Sequence, residues 1–184
     1  RVRIRNKGRP GRYPALLFMV DESADKPVEL TFEEQLTAAR AFAMRSLARR
    51  ESAESELARR LRQQGYQEEV IEAVVDYCRG YNWVNDERYG AMAVRAGAAK
   101  GHGPIKIRFE LRRKGLDDNQ IDAAFEQPEL DWFELALALL ERRANVADLA
   151  DFKLRMKWLK YLLGRGFTQE QARYAISALQ EREE

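Results

Sequence analysis

Two residues hold most of the nucleophilic and metal-binding potential of this chain: its single histidine, His102, and its single cysteine, Cys78. A Ser-His-Asp or Cys-His catalytic set would have to use His102. That residue sits in Gly101-His102-Gly103 with no nucleophile motif beside it, and reads as a loop spacer. A zinc site of His and Cys ligands would lack partners, since such sites need three or four. Cys78 occupies an apolar helical position and reads as core. As a lone cysteine it rules out an intrachain disulfide, and a reducing cytoplasm is the default compartment. No Walker A sequence and no Gly-x-Gly-x-x-Gly occurs. Gly101 and Gly103 before Pro104 make a weak anion-loop signal that a simple turn explains better. No catalytic residue, metal or cofactor is assigned.

The remaining chemistry is charge. The chain is net +2, but residues 1–12 carry six basic groups and no acid, so the remainder is negative. Basic side chains concentrate in three segments. Residues 40–62 hold seven basic groups against three acids, residues 100–114 six against one, and residues 153–165 five against none. The segments that follow two of them reverse the sign: residues 67–79 carry four acids and one base, and residues 117–131 six acids and no base. Aligned basic helices would form a stripe for a polyanion or an acidic protein surface. The candidate contacts are Arg45, Arg49, Arg59 and Arg62 in the first segment. The second supplies Lys100, Lys106, Arg108, Arg112, Arg113 and Lys114, and the third Lys157, Lys160 and Arg165. The competing explanation is solvated helix faces, with cations near C-termini and acids near N-termini complementing the dipole. Tyr77, Tyr81, Trp83 and Tyr89 cluster in one stretch; they could stack bases, though packing between units accounts for them more simply.

What must position these charges is a repeat. With Gly65, Gly115 and Gly166 in register, the residues eight and four before are Leu57/Leu61, Ile107/Leu111 and Trp158/Leu162. One residue after each glycine stands Tyr66, Leu116 or Phe167, and nine and ten after stand Val74-Val75, Ala124-Phe125 and Ala175-Ile176. A spacing of about 50 residues is the scale of a helical repeat, and units that short share a core by stacking. The expected fold is all-α: three tandem three-helix repeats in an elongated, curved array. Repeat 1 spans 31–80, repeat 2 81–127 and repeat 3 128–184, behind an N-terminal arm of residues 1–30 that shows no helical period.

The helices have readable ends. Thr31 with Glu34 forms a capping box opening a helix to about Arg50. Ser52 is the expected cap of a second helix ending at Gly65, and a third runs from about Gln67 to Arg79. Asn85 or Asp86 caps a helix to about Lys100, Pro104 opens the next, and Asp117 with Gln120 starts another, ending near Gln127. The third unit begins near Pro128 and holds a first helix with Trp132 to Leu140, a connection around 145–148, a helix through Trp158 to Arg165, and a last one capped by Thr168 and Gln171. The longest apolar runs, such as Leu135 to Leu140, fall far short of the roughly 20 residues that span a membrane. Ala15 to Val20 behind the basic start is too short for a convincing secretory leader.

Four segments together resemble the RecX family, bacterial regulators of the RecA recombinase: residues 41–51 (Ala-Phe-Ala-Met-Arg-Ser-Leu-Ala-Arg-Arg-Glu), residues 56–61 (Glu-Leu-Ala-Arg-Arg-Leu), residues 83–89 (Trp-Val-Asn-Asp-Glu-Arg-Tyr) and residues 103–116 (Gly-Pro-Ile-Lys-Ile-Arg-Phe-Glu-Leu-Arg-Arg-Lys-Gly-Leu). The likeness extends from about Leu36 to the C-terminus, thinning to Leu162-Leu-Gly-Arg-Gly-Phe167 in the third unit; Gly90 departs from the expected pattern. The resemblance implies tandem three-helix repeats and a non-enzymatic role in DNA repair, homologous recombination and the SOS response. It also implies binding to RecA and its filament on single-stranded DNA, restraining filament growth, ATP hydrolysis and strand exchange. A monomer with weak non-specific DNA binding fits. Two other classes remain open. A helix-turn-helix DNA reader would place a recognition helix in the major groove, whereas the basic helix here is the middle one. A helical-repeat scaffold would bind protein with no DNA role.

Overall fold

The computed structural model describes residues 3–6, 17–20 and 28–181, with side chains from Leu30 to Glu181. Three short strands come first: β1 (Arg3–Asn6), β2 (Leu17–Val20) and β3 (Val28–Glu29). They pair antiparallel in the order β1-β2-β3, with Arg3 opposite Val20 and Phe18 opposite Glu29. The sequence suggested only an arm here, because strands of four residues or fewer are too short to display an alternating pattern. Lys7, Arg9, Arg12 and the first part of the apolar Ala15–Val20 run lie outside the described residues.

From Phe32 to Glu181 the chain is helical. In order come α1 (Phe32–Leu47), α2 (Glu54–Gln64), α3 (Glu68–Gly80), α4 (Asp86–Ala99), α5 (Pro104–Arg113), α6 (Asp118–Phe125), α7 (Trp132–Glu141), α8 (Val146–Ala150), α9 (Phe152–Gly164) and α10 (Gln169–Glu181). They fall into two compact units, Arg1–Asp86 and Glu87–Glu184.

The three register glycines do the same physical work. Each has positive φ: +90° at Gly65, +85° at Gly115 and +91° at Gly166. At each, the glycine amide donates to the carbonyl three residues back, and the next amide reaches five residues back, to Leu61, Leu111 or Leu162. That left-handed stop is where glycine avoids the Cβ penalty. It folds Tyr66, Leu116 and Phe167 under the helix just ended, and all three are buried. Leu57, Leu61, Ile107, Leu111 and Leu162 are all 2 % exposed or less, each contributing about 1.5–3 kcal/mol of burial.

In the first unit, Ala39, Ala43, Leu57, Leu61, Val70 and Val74 form the centre of one core, with Cys78 beside them. The Thr31–Glu34 capping box holds α1. Ser52 does not cap α2. Ala53 takes that position without a side-chain bond, and the buried Ser52 hydroxyl finds no partner. The α2 terminus is served from 32 residues away, where the Glu54 amide donates to Asp86 Oδ1 at 2.8 Å. A tertiary carboxylate does the job that local spacing assigned to serine.

In the second unit, Pro104 opens α5 and the Asp117–Gln120 box opens α6, as their spacing requires. Gly90 is buried in α4, where an added Cβ would stand 3.0 Å from Ala124 Cβ and 3.1 Å from Leu116 Cδ2. Its departure from the expected pattern is a close helix approach, and the helix start is intact. The third repeat holds four helices where three were expected. The extra one, α8, replaces the connection: Asn145 caps it through the Ala147 amide and the fully buried Leu149 pins it to the core. Asp151 then caps α9 at Lys153 and Leu154. Thr168 and Gln171 exchange backbone bonds at the start of α10.

Candidate functional site

The basic residues of α2 and α5 partly serve the acids that follow them. Arg62 Nη2 donates to Glu68 at 2.7 Å, and Arg112 Nη2 to Asp118 at 2.9 Å. Both pairs lie three residues before and three after their register glycine. The Arg62 hydrogen bond holds the Glu68 carboxyl below its usual range. Arg108 bonds Asp122 at 2.6 Å and stacks 4.5 Å from the Phe125 ring. Arg59 lies 3.9 Å from the buried Glu56, which Arg50 and Arg60 hold at 2.7 Å each. Much of the sign alternation along the chain is thus satisfied between consecutive helices. Lys114 also interacts within the chain.

Arg165 has a different duty. Its Nε donates to the Gly101 carbonyl at 3.0 Å and its Nη2 to that of Lys100. These bonds join the second and third repeats. Beside them the Gly103 amide donates to Arg165 O at 2.9 Å, and the Ile105 amide to Gly166 O at 3.0 Å. His102 lies at this joint with its Nδ1 buried and without a hydrogen-bond partner. Burial, then Lys106 and Arg165, push its pKa down against the opposing Glu110 carboxylate 3.9 Å away.

Among the described residues, Arg45, Arg49, Lys100, Lys106, Arg113, Lys157 and Lys160 form no ion pair. Four of them line two clefts free of carboxylates. In the first unit, Arg45 and Arg49 join Arg50, Arg60, Phe42 and Ser46 around a space of about 430 Å³. In the second unit, Lys100 and Lys157 join Arg142, Arg143 and Arg165 around about 700 Å³, with Leu139, Trp158 and Tyr161 in the wall. Lys106, Arg113 and Lys160 line neither. Tyr77, Tyr81 and Trp83 pack with centroids 4.6–5.6 Å apart and Arg40 sits 4.3 Å over Tyr77, so these rings are engaged with one another and with a core helix. No group of three His, Cys, Asp or Glu residues suited to a metal occurs among the described residues. No described helix is long and apolar enough to cross a membrane.

Models of the first, second and third three-helix domains of RecX match residues 39–78, 85–124 and 129–176. The regulatory protein RecX of Vibrio campbellii is 36 % identical over 135 residues, covering 73 % of this chain and 87 % of that protein. The chain belongs to the RecX family. RecX of Yersinia pseudotuberculosis is 42 % identical over 103 residues, a match spanning 56 % of this chain and 57 % of that protein. A RecX crystal structure from Lactobacillus salivarius shares the fold with TM-score 0.70 at 23 % identity, over 80 % of this chain and 97 % of that one. A second crystal structure of regulatory protein RecX gives 0.64 at 26 % identity, over 92 % and 95 %. RecX relatives carry the name of regulatory proteins, and this chain is a member of that regulatory family.

Arg142, Arg143, Trp158 and Tyr161 escaped the sequence reading. The arginines follow an apolar helix rather than sitting in a basic one. Trp158 occupies a register position filled by core residues in the other repeats. The available signal was the pair of rings three residues apart behind a run of cations.

Proposed function

We propose that this RecX-family chain regulates the RecA recombinase, binding RecA and its filament on single-stranded DNA and restraining filament growth, ATP hydrolysis and strand exchange. It acts by occupying surface, as a cytoplasmic monomer, and not as an enzyme. Family membership supports the partner. The observation that carries the physical reading is the pair of carboxylate-free cationic clefts, one in each compact unit of a chain with net charge of only +2. An exposed cation contact is worth about 0.2–1 kcal/mol, so binding draws on several at once, with linked sites reinforcing one another. Arg45, Arg49, Lys106, Arg113, Lys157 and Lys160 supply contacts at little cost to the fold. Arg59, Arg62, Arg108, Arg112 and Lys114 lend what their internal partners leave. Lys100 and Arg165 act through the second-unit cleft.

The test is charge reversal of Arg45, Arg49, Arg113 and Lys160 together, titrated into RecA on single-stranded DNA while ATP turnover is followed. At about 0.5 kcal/mol per contact, losing four raises the half-inhibiting concentration roughly thirtyfold, with unchanged helix content. Inhibition at the original concentration removes these cations from the interaction. A scaffold with no DNA role has one supporting observation: Ile105 and Phe109, one turn apart on α5, are 55 % and 59 % exposed. It requires apolar substitutions there, and not the reversals, to abolish partner binding.

A further inference from the structure

We propose that the cleft between the second and third repeats is a binding site for single-stranded nucleic acid in its own right, holding phosphates on Lys100, Arg142, Arg143 and Lys157 and stacking a base on Trp158 or Tyr161. It deepens the reading above, which already gives Lys100, Lys157 and Arg165 a place in the contact with the recombinase filament, by naming the ligand this cleft takes without the recombinase.

The cleft belongs wholly to the second unit and is fixed by the backbone joint at Gly101, Gly103 and Gly166. Five cations line about 700 Å³ with no carboxylate among them. Elsewhere in the chain Arg62 of α2 and Arg108 and Arg112 of α5 find acids in the next helix; here none lines the cleft. Arg165 is spent on the Gly101 and Lys100 carbonyls. Arg142 commits its Nε to Ala138 O at 3.0 Å, leaving the end of its guanidinium free. Lys100, Arg143 and Lys157 are exposed and form no ion pair among the described residues. The aromatic wall decides between ligand classes. Trp158 and Tyr161 meet edge to face, centroids 5.7 Å apart at 87°. Lys157 Nζ stands 5.8 Å over the Trp158 ring and Arg143 Cζ 5.9 Å over Tyr161. Lys157 and Arg143 line the cleft and lie over these ring faces, so a base that stacks there takes the place of a cation that turns to its phosphate. An acidic peptide needs only the charge. A phosphodiester chain with unstacked bases uses charge and ring together, the combination that single-strand binders employ. Duplex DNA keeps its bases stacked and gains nothing from the rings.

The experiment needs no recombinase. A fluorescent twelve-nucleotide oligothymidylate is titrated with the full chain at several salt concentrations, beside an abasic strand of equal length and an acidic decapeptide. Four neutralised phosphates give a slope of log affinity against log salt of about −3. The Arg143→Gln, Lys157→Gln double variant, whose side chains make no hydrogen bond inside the protein, lowers that slope in magnitude by about 1.4 and weakens low-salt binding at least tenfold. The abasic strand binds at least fivefold more weakly than the thymidylate, the lower end of what stacking contributes. Trp158→Phe, which keeps a ring, retains most of the discrimination between the two strands, and Trp158→Leu reduces it. Equal affinity for abasic and thymidylate strands, decapeptide binding as tight as the oligonucleotide, or unaltered binding by the double variant each overturns the proposal. Because the variants of the recombinase test lie outside this cleft, either reading can fail while the other stands.

Discussion

Gly103→Ala should unfold the second unit at a markedly lower temperature, although nothing local forbids it. Gly103 has φ −82°, a conformation alanine adopts freely. The obstacle is tertiary. A Cβ there would meet the carbonyl of Gly166 and the amide nitrogen of Phe167 closer than a real Cβ approaches any neighbour. Both are backbone, held by the Gly103–Arg165 and Ile105–Gly166 hydrogen bonds, so relief means separating the two segments. Overpacking of this kind costs about 1–3 kcal/mol, and each lost hydrogen bond adds about 1 kcal/mol, for a total of about 3–5 kcal/mol. In a folding unit of roughly 100 residues, 1 kcal/mol moves Tm by about 4–8 °C, so the drop exceeds about 12 °C. Gly80→Ala and Gly164→Ala are the controls: both lie in the last turn of a helix with nothing within 4 Å of an added Cβ. They should be neutral or stabilising by up to about 1 kcal/mol, because alanine is the better helix former. Thermal unfolding followed by far-ultraviolet circular dichroism separates the three. If Gly103→Ala melts with its controls, the joint is not rigid backbone against backbone, and the cleft beside it is not fixed by that contact.

Glu56→Gln should destabilise the first unit by about 1.5–3 kcal/mol, read as a lower urea midpoint, because its side chain is 4 % exposed and its carboxylate joins Arg50 and Arg60; Arg59→Ala, at 3.9 Å and largely exposed, should cost under about 1 kcal/mol. His102 carries a depressed pKa, so its neutral form suits the fold and the unfolded chain takes up protons first. Stability should therefore be intact above about pH 6.5, the unfolded value, and fall as the pH drops through the folded value. Glu110 opposes this shift while Lys106, Arg165 and Lys100 reinforce it. His102→Gln should flatten the fall below about pH 6.5, and an unchanged slope in that variant assigns it to other groups.

The fold was largely written in the sequence because its marks are local. A glycine at positive φ, a capping box and a period of 3.6 each act within one turn, so Gly65, Gly115, Gly166, Thr31 and Asp117 could be read directly. What escaped depends on residues far apart in the chain. Ser52 was the better cap by spacing, but Asp86 reaches the α2 terminus from the start of α4. The stretch 145–148 read as connection, but the buried Leu149 makes Val146–Ala150 a helix. The strands before α1 were too short to show a period. Charge was harder still, because composition counts a lysine facing solvent and an arginine bound to its neighbour's carboxylate alike. The resemblance named the family, yet left Arg62 and Arg112 undistinguished from Arg45 and Lys157.

The register that reveals the repeat also shows where it has diverged. The positions three before and three after the glycine hold Arg62 and Glu68, then Arg112 and Asp118, then Leu163 and Gln169. Eight before stand Leu57, Ile107 and Trp158, and five before stand Arg60, Glu110 and Tyr161. The third copy has dropped its internal ion pair and placed rings where the others carry an aliphatic core residue and a charge. Those two rings line the second-unit cleft. A position that keeps its residue type through three copies serves what the copies share: the helix stop and the buried leucine four residues before it. A position that changes in one copy is released from that service. The cleft is built where the third copy breaks the pattern, on a scaffold that the retained positions hold in place.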